Sequence, residues 1–223
     1  TQTGKTSDSV ICPHCKAKLV GRDLEKAFVS EYDAYSSEVI NHIKQKLVMV
    51  KYTSGKTQFK KTPDASDEEL YAKISQMTNT SWVPMQIIEV GDKTGEPLRI
   101  HVDKAYKYYT KRNLYILSKV YEQFDLIEDI RYRNFAKFLF SSVYSRSHRM
   151  NRYMPDYNRH VGPLAGTLYF PFFSAEINVF QLFQDKLGSM KKLGNIHGNA
   201  LISNQSATCL HNIKDNSIDY IFT

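Results

Sequence analysis

Residues 145–173 carry no hydrophobic period, and they lie between segments that do. Upstream, Leu114, Leu117, Val120, Tyr121 and Phe124 recur at three- and four-residue spacings after Thr110. Phe135, Phe138, Leu139 and Val143 repeat that pattern within 129–144, so two amphipathic helices are predicted, with Thr110 capping the first. Downstream, Ser174 is placed to cap a third helix from Ala175 to about Leu187. The stretch between is rich in Arg, Tyr, Asn, Gly and Pro, and a connection of that length inside a compact domain is usually functional.

Charge points to the same place. The 30 Lys and Arg outnumber the 23 Asp and Glu, which leaves +7. Between 131 and 160 stand Arg131, Arg133, Lys137, Arg146, Arg149, Arg152 and Arg159 against Asp156 alone, so nearly the whole excess is concentrated there. Tyr132, Phe135, Phe138, Phe140, Tyr144, Tyr153 and Tyr157 interleave with these cations, and Arg beside aromatic faces is the composition that grips phosphate and stacks on unpaired bases. The competing reading is an amphipathic helix showing water its arginines. Phe135, Phe138 and Phe140 are expected in a core, and Tyr153 and Tyr157 are the better stacking candidates.

The rest of the chain sets limits. A hydrophobic fraction of 42% with 24% charged residues is globular composition, enough for one or two domains and a sizeable core. No run approaches the roughly 18 apolar residues that a membrane span needs, and no signal-peptide pattern opens the chain. Three cysteines cannot make a disulfide framework, so the cytoplasm is the expected compartment. Cys12-Pro13-His14-Cys15 resembles one knuckle of a zinc ribbon, with Cys12 and Cys15 as candidate metal ligands and His14 outside the set. Two unliganded thiols or a thiol redox pair remain open alternatives. Both ends read as cut: there is no initiator Met, and Ser217 to Thr223 is an apolar strand pattern without a turn.

Local signals fill in the order of elements. Residues 47–53 and 57–60 flank Ser54-Gly55-Lys56 as a hairpin, basic on its second strand. Ser66 opens a capping-box helix through about Met77. A second hairpin is predicted from Gln86–Val90 and Leu98–Val102. A strand at 200–203, a short helix at 206–213 and a strand at 217–223 suggest the start of a parallel sheet. The fold class is therefore α+β, mixed α/β, with a helical middle and two β-hairpins. Phosphate-cradling glycine loops, paired histidines on a helix face and nucleophile motifs are absent, and the histidines are scattered, so no catalytic residue is assigned.

Five runs carry a family likeness. They are Tyr108 to Leu114 (Tyr-Tyr-Thr-Lys-Arg-Asn-Leu), Arg149 to Tyr153 (Arg-Met-Asn-Arg-Tyr), Arg159 to Tyr169, Glu176 to Val179, and Leu201 to Thr208. Together they resemble prokaryotic site-specific DNA methyltransferases that use S-adenosylmethionine and carry a zinc-ribbon insertion, along nearly the whole chain. The resemblance implies an internal fragment between the cofactor loop and an Asp-Pro-Pro-aromatic catalytic motif. It divides the chain into a partial zinc ribbon (1–31), an inserted target-recognition-like region (32–173) and the start of a Rossmann-like methyltransferase segment (174–223).

The implied reaction is methyl transfer to an exocyclic base amine, with adenine expected. Such a base must leave the duplex, at a cost of a few kcal/mol that contacts elsewhere recover. Lys111, Arg112, Arg146, Arg149, Arg152 and Arg159 are then candidates for phosphate or base-edge contact, Tyr153 for stacking, and Asn113 and Asn151 for reading adenine. Hydrogen bonding in its own helix is the alternative for Asn113. Asn204, Gln205 and Ser206 are implied at the methyl donor's adenosine pocket, with a bare turn as the alternative. Two departures stand out: residues 83–107 hold a hairpin-like insert, and Lys16 occupies the position after the second cysteine where relatives carry Gly. A freestanding zinc-ribbon nucleic-acid-binding protein and a thiol redox module remain the other classes.

Overall fold

A computed structural model of the chain describes residues 9–20, 25–77, 80–192, 204, 206 and 208–220. It is α+β, and every strand pair in it is a two-stranded antiparallel hairpin. No helix among the described residues is long and apolar enough to cross a membrane. Two compact units are present, Thr1–Gly188 and Ser189–Thr223.

Tight turns shape the first part of the larger unit. β1 (Ser9–Ile11) and β2 (Lys18–Val20) pair around the Cys12–Cys15 turn. β3 (Phe28–Asp33) and β4 (Glu38–Ile43) form a hairpin that no turn signal in the sequence announces. Its turn has neither Gly nor Pro. The left-handed position falls instead to Ser37, at φ 57°. The Asp33 carboxylate takes part in the closure, accepting from the Tyr35 N–H at 3.3 Å and the Ser36 hydroxyl at 3.0 Å. β5 (Val50–Ser54) and β6 (Thr57–Lys61) form the expected hairpin, with Gly55 at φ +60° in the two-residue turn.

α1 (Ala65–Ser75) begins where expected, but Asp64 rather than Ser66 is its cap, in a reciprocal capping box with Asp67. The predicted hairpin at 86–102 is not formed. Ile87 makes one isolated bridge to Lys104, and residues of the expected second strand belong to α2 (Gly95–Arg99). Pro97 lies in the first turn of that helix, where no intrahelical N–H is needed, so a residue that breaks helices elsewhere is tolerated.

α3 (Lys111–Gln123) and α4 (Ile130–Tyr144) form as predicted, capped by Thr110 and Asp129. α5 (Val179–Lys191) starts four residues after Ala175. Asn178 accepts from the Gln181 N–H at 3.2 Å, whereas the Ser174 hydroxyl donates to the Arg149 carbonyl at 2.6 Å. Within 145–173 lies one more hairpin, β7 (Arg152–Met154) and β8 (Arg159–Val161), with Asn158 left-handed at φ 49° in its turn.

The core is divided into small clusters. Leu117, Val143 and Val179 join α3, α4 and α5; Val83, Tyr106 and Leu114 form a second cluster; Ile100, Val102, Met150 and Phe170 form a third. Val143 is the buried residue of α4. Phe140 packs edge-on to Phe124, but Phe135 and Phe138, expected inside, are exposed by 43% and 62%.

Beyond the last residues of α5, the described residues of the smaller unit hold turns and bends only. The helix expected at 206–213 is absent from its described positions, and residues 217–220 are not a strand. The strand expected at 200–203 lies outside the described residues, as do 221–223.

Candidate functional site

The 145–173 segment is pinned before it reaches the surface. Asn151 is 3% exposed, and its amide donates to the carbonyls of Arg146 and His148, both at 2.7 Å. The Arg149 N–H donates to the Tyr108 carbonyl at 2.7 Å, and its guanidinium donates to the Lys107 carbonyl at 3.1 Å. That guanidinium lies 5.5 Å from the centre of the Phe170 ring. Gln45, with its amide oxygen turned inward, accepts two more bonds from it at 3.1 Å each. Burial pushes the Arg149 pKa below the ordinary arginine value, with the Tyr71 phenol opposing.

Asn113 is the other interior amide. At 1% exposure it donates to the carbonyls of Ser147 (2.9 Å) and Ile177 (3.1 Å), tying α3 to the segments before β7 and before α5. Asn113 and Asn151 are therefore framework residues rather than readers of adenine, and the half-buried Arg149 guanidinium is tied to the Lys107 carbonyl and Gln45. The side-chain N–H groups of the two asparagines, which a base edge would have to engage, are already spent on backbone carbonyls.

The remaining cations fall into two sets. Lys111 pairs with Glu31 at 2.7 Å, and Arg112 pairs with Glu176. These residues line a cavity of about 360 Å³ together with Tyr35, Tyr71 and Arg149. A larger hollow of about 750 Å³, lined by Glu25, Lys26, Phe28, Glu96, Arg99 and Ile100, contains none of the candidates. The second set lies on and beside the β7–β8 hairpin. Arg152 donates to the Gly162 carbonyl at 3.1 Å across the hairpin base. Exposed Arg159 sits 5.9 Å above the ring of Tyr157, and Arg146 is exposed after α4. The Tyr153 hydroxyl donates to Asn158 at 2.7 Å.

On α4 the basic run is largely self-neutralised. Arg131 meets Asp129 at 3.0 Å, Lys137 meets Asp125 at 3.5 Å, and Arg133 donates to the Ile127 carbonyl at 2.9 Å. Much of the charge counted between 131 and 160 is thus spoken for inside the protein. A different run is not. From Lys44 through Lys61 the sequence holds Lys44, Lys46, Lys51, Lys56, Lys60 and Lys61 without one Asp or Glu. Among the described residues, only Lys61 of these has an ion-pair partner, Asp64 and Asp67 at 2.8 and 2.7 Å. The second strand of the β5–β6 hairpin is basic by sequence, and the acid-free stretch reaches back from it to Lys44.

Lys51 joins the two regions. Its ammonium donates to the Asn158 carbonyl at 3.0 Å and stands 5.0 Å from the centre of the Tyr153 ring. The β5–β6 and β7–β8 hairpins are thereby neighbours.

The cysteines lie in a tight turn between β1 and β2. Cys12 N–H donates to the Ala17 carbonyl at 2.9 Å, and Lys16 N–H to the Cys12 carbonyl at 3.0 Å. Lys16 adopts φ 60°, the left-handed region that favours glycine, at the position already singled out as a departure. The Cys12 thiol is held below its ordinary pKa chiefly by the Cys15 N–H, then by the His14 N–H and the Cys15 thiol. Such donors favour thiolate, the form that binds metal. Two thiols in one turn fit half of a tetrahedral site, and among the described residues no third His, Cys, Asp or Glu joins them.

Of the adenosine-pocket candidates, Asn204 is exposed and Gln205 lies outside the described residues. Ser206 Oγ is 2.8 Å from Thr208 Oγ1 and accepts from the Thr208 N–H at 3.3 Å, a local serine turn. No protein-family model, curated protein or solved structure matches the chain.

Proposed function

We propose that this chain is the DNA-holding part of an S-adenosylmethionine-dependent DNA methyltransferase acting on an exocyclic base amine, with adenine as the base. In that reaction the methyl carbon leaves sulfur for the amine nitrogen, which gives up a proton. None of the candidate residues is assigned a part in that exchange. Their task is to grip the duplex so that a base can leave the stack.

The observation that carries the reading is where the most specific part of the family likeness lies. The run from Arg149 through Tyr169 roots itself through Asn151 and Arg149 and then forms a surface hairpin with Arg159 over Tyr157 and Tyr153 under Lys51. Cations held against aromatic faces suit phosphate and exposed bases. Arg146, Arg152, Tyr153 and Arg159 remain the contact candidates, while Lys111 and Arg112 are tied to carboxylates at the cavity. Cys12 and Cys15 would supply two thiolate ligands to zinc, and Asn204, Gln205 and Ser206 would border the methyl donor.

Incubating the full-length protein with duplex DNA and isotopically labelled S-adenosylmethionine should give labelled N-methyladenine on nucleoside analysis. Label on no base would reject the reading. In binding assays on the same protein, Arg146→Ala with Arg159→Ala is expected to lower the slope of log affinity against log salt by about 1–2, close to one for each phosphate no longer gripped. An unchanged slope would remove this surface from the interface. Native mass spectrometry should find zinc on the full-length protein, absent after Cys12→Ser; equal zinc in both would dismiss the knuckle as a metal site.

A further inference from the structure

The β5–β6 hairpin breaks the rules by which a free-standing hairpin is stabilised. Lys51 and Lys60 are directly opposite one another across the strands, and like charges in that register are destabilising. No residue from Lys51 to Lys60 is buried. The neighbouring cross-strand pair, Tyr52 and Phe59, stacks with ring centroids 5.5 Å apart and an interplanar angle of 20°. The two rings remain 47% and 44% exposed. Strand alternation puts the aromatic pair on one face and the lysine pair on the other, where Lys51 reaches Asn158 and Tyr153. Lys56 sits in the turn, and neither it nor Lys60 has an ion-pair partner among the described residues.

Within this chain, then, an exposed aromatic stack and a row of lysines lack compensating acids. A polyanion with π-faces supplies both deficits. A two-stranded ribbon also matches the width of the major groove, about 12 Å.

We propose that β5–β6 is a DNA-binding ribbon: Lys56 and Lys60 follow the phosphates of a double helix, and the Tyr52–Phe59 stack packs against bases at a step that has come unstacked. This rests on the methyltransferase reading for its partner, since base extrusion creates such a step. It names a contact surface outside the segment to which that reading assigned DNA binding.

The test measures binding of the full chain to a fully paired duplex and to the same duplex with one abasic position, over a range of salt. Wild type should prefer the abasic duplex. Tyr52→Leu with Phe59→Leu should weaken binding to the abasic duplex by about tenfold or more while leaving the salt slope in place, because stacking is removed and the phosphates are still gripped. Lys56→Ala with Lys60→Ala should weaken both duplexes alike and lower the slope by about 1–2. All four positions are on the surface, so thermal midpoints should match wild type. If both double variants bind like wild type while Arg146→Ala with Arg159→Ala binds weakly, the ribbon proposal is overturned and the methyltransferase reading stands. If wild type binds no DNA at any salt, both fall together. A preference for single-stranded RNA over either duplex would also overturn the ribbon proposal.

Discussion

Asn113→Asp is expected to unfold the larger unit under conditions in which wild type is folded. The Asn113 side chain is almost wholly enclosed, and its –NH2 group faces the Ser147 and Ile177 carbonyl oxygens. An aspartate there turns two attractive contacts into oxygen against oxygen and buries an unpaired charge, a change that typically costs about 3–5 kcal/mol. Asn113→Ala removes the donors without adding a charge and should cost about 2–4 kcal/mol, from two stranded carbonyls and a small void. Urea unfolding followed by tyrosine fluorescence gives both values. A loss below about 1 kcal/mol for alanine would mean that water satisfies those carbonyls and that this junction does not hold the helices together.

The second large effect is alkaline. Tyr35, Tyr71, Tyr106, Tyr108 and Tyr109 all have phenols raised above the ordinary value, chiefly through burial. Tyr109 is pushed up to about 12, first by burial and then by Tyr144. For Tyr106 the hydrogen bond to Asp33 adds to burial, since an ionised phenol could no longer donate to that carboxylate. A group whose folded pKa exceeds its unfolded value contributes its full stabilisation below the unfolded pKa and loses it as pH rises through the folded one. Stability should therefore hold to about pH 10 and fall between about pH 10 and 12, with Tyr109 alone accounting for about 2–3 kcal/mol. Brief alkaline exposure followed by circular dichroism checks this, and Tyr109→Phe should make the decline shallower. A flat profile to pH 12 would mean that these phenols titrate freely in water.

Periodicity made the helical middle legible. The apolar spacings in α3 and the Thr110 cap are local properties, and the structure keeps them. Where a prediction depended on which residue performs a shared chemical task, it slipped. Asp64 took the capping role from Ser66, Asn178 stood closer to α5 than Ser174, and Ser37 supplied a left-handed turn residue with no glycine to announce it. The hairpin expected at 86–102 gave way to α2, because Pro97, forbidden within a helix, is at home in a first turn.

In the candidate segment the sequence shows composition, and the structure shows what each side chain touches. Composition marks 145–160 as basic and aromatic, but composition cannot distinguish an arginine stacked on Phe170 from one facing water. Tertiary partners far apart in sequence, such as Gln45 and Arg149, decide that. The same blindness worked in reverse on α4, where Phe135 and Phe138 have helical spacing yet lie outside the contact made by Val143.

The opposition of Lys51 and Lys60 has an effect on ordering. In dilute buffer the Lys60 ammonium pushes against that of Lys51, which the Asn158 carbonyl holds in place, so β6 should loosen from β5 near the open end of the arm when nothing is bound. Counter-ions damp that repulsion within about 10 Å at 0.1 M salt, and a bound polyphosphate damps it more strongly because it is aligned and stays in place. The arm should therefore be loose in search and zipped when loaded, with amide exchange in 51–60 slowing on engagement by more than added salt alone can produce.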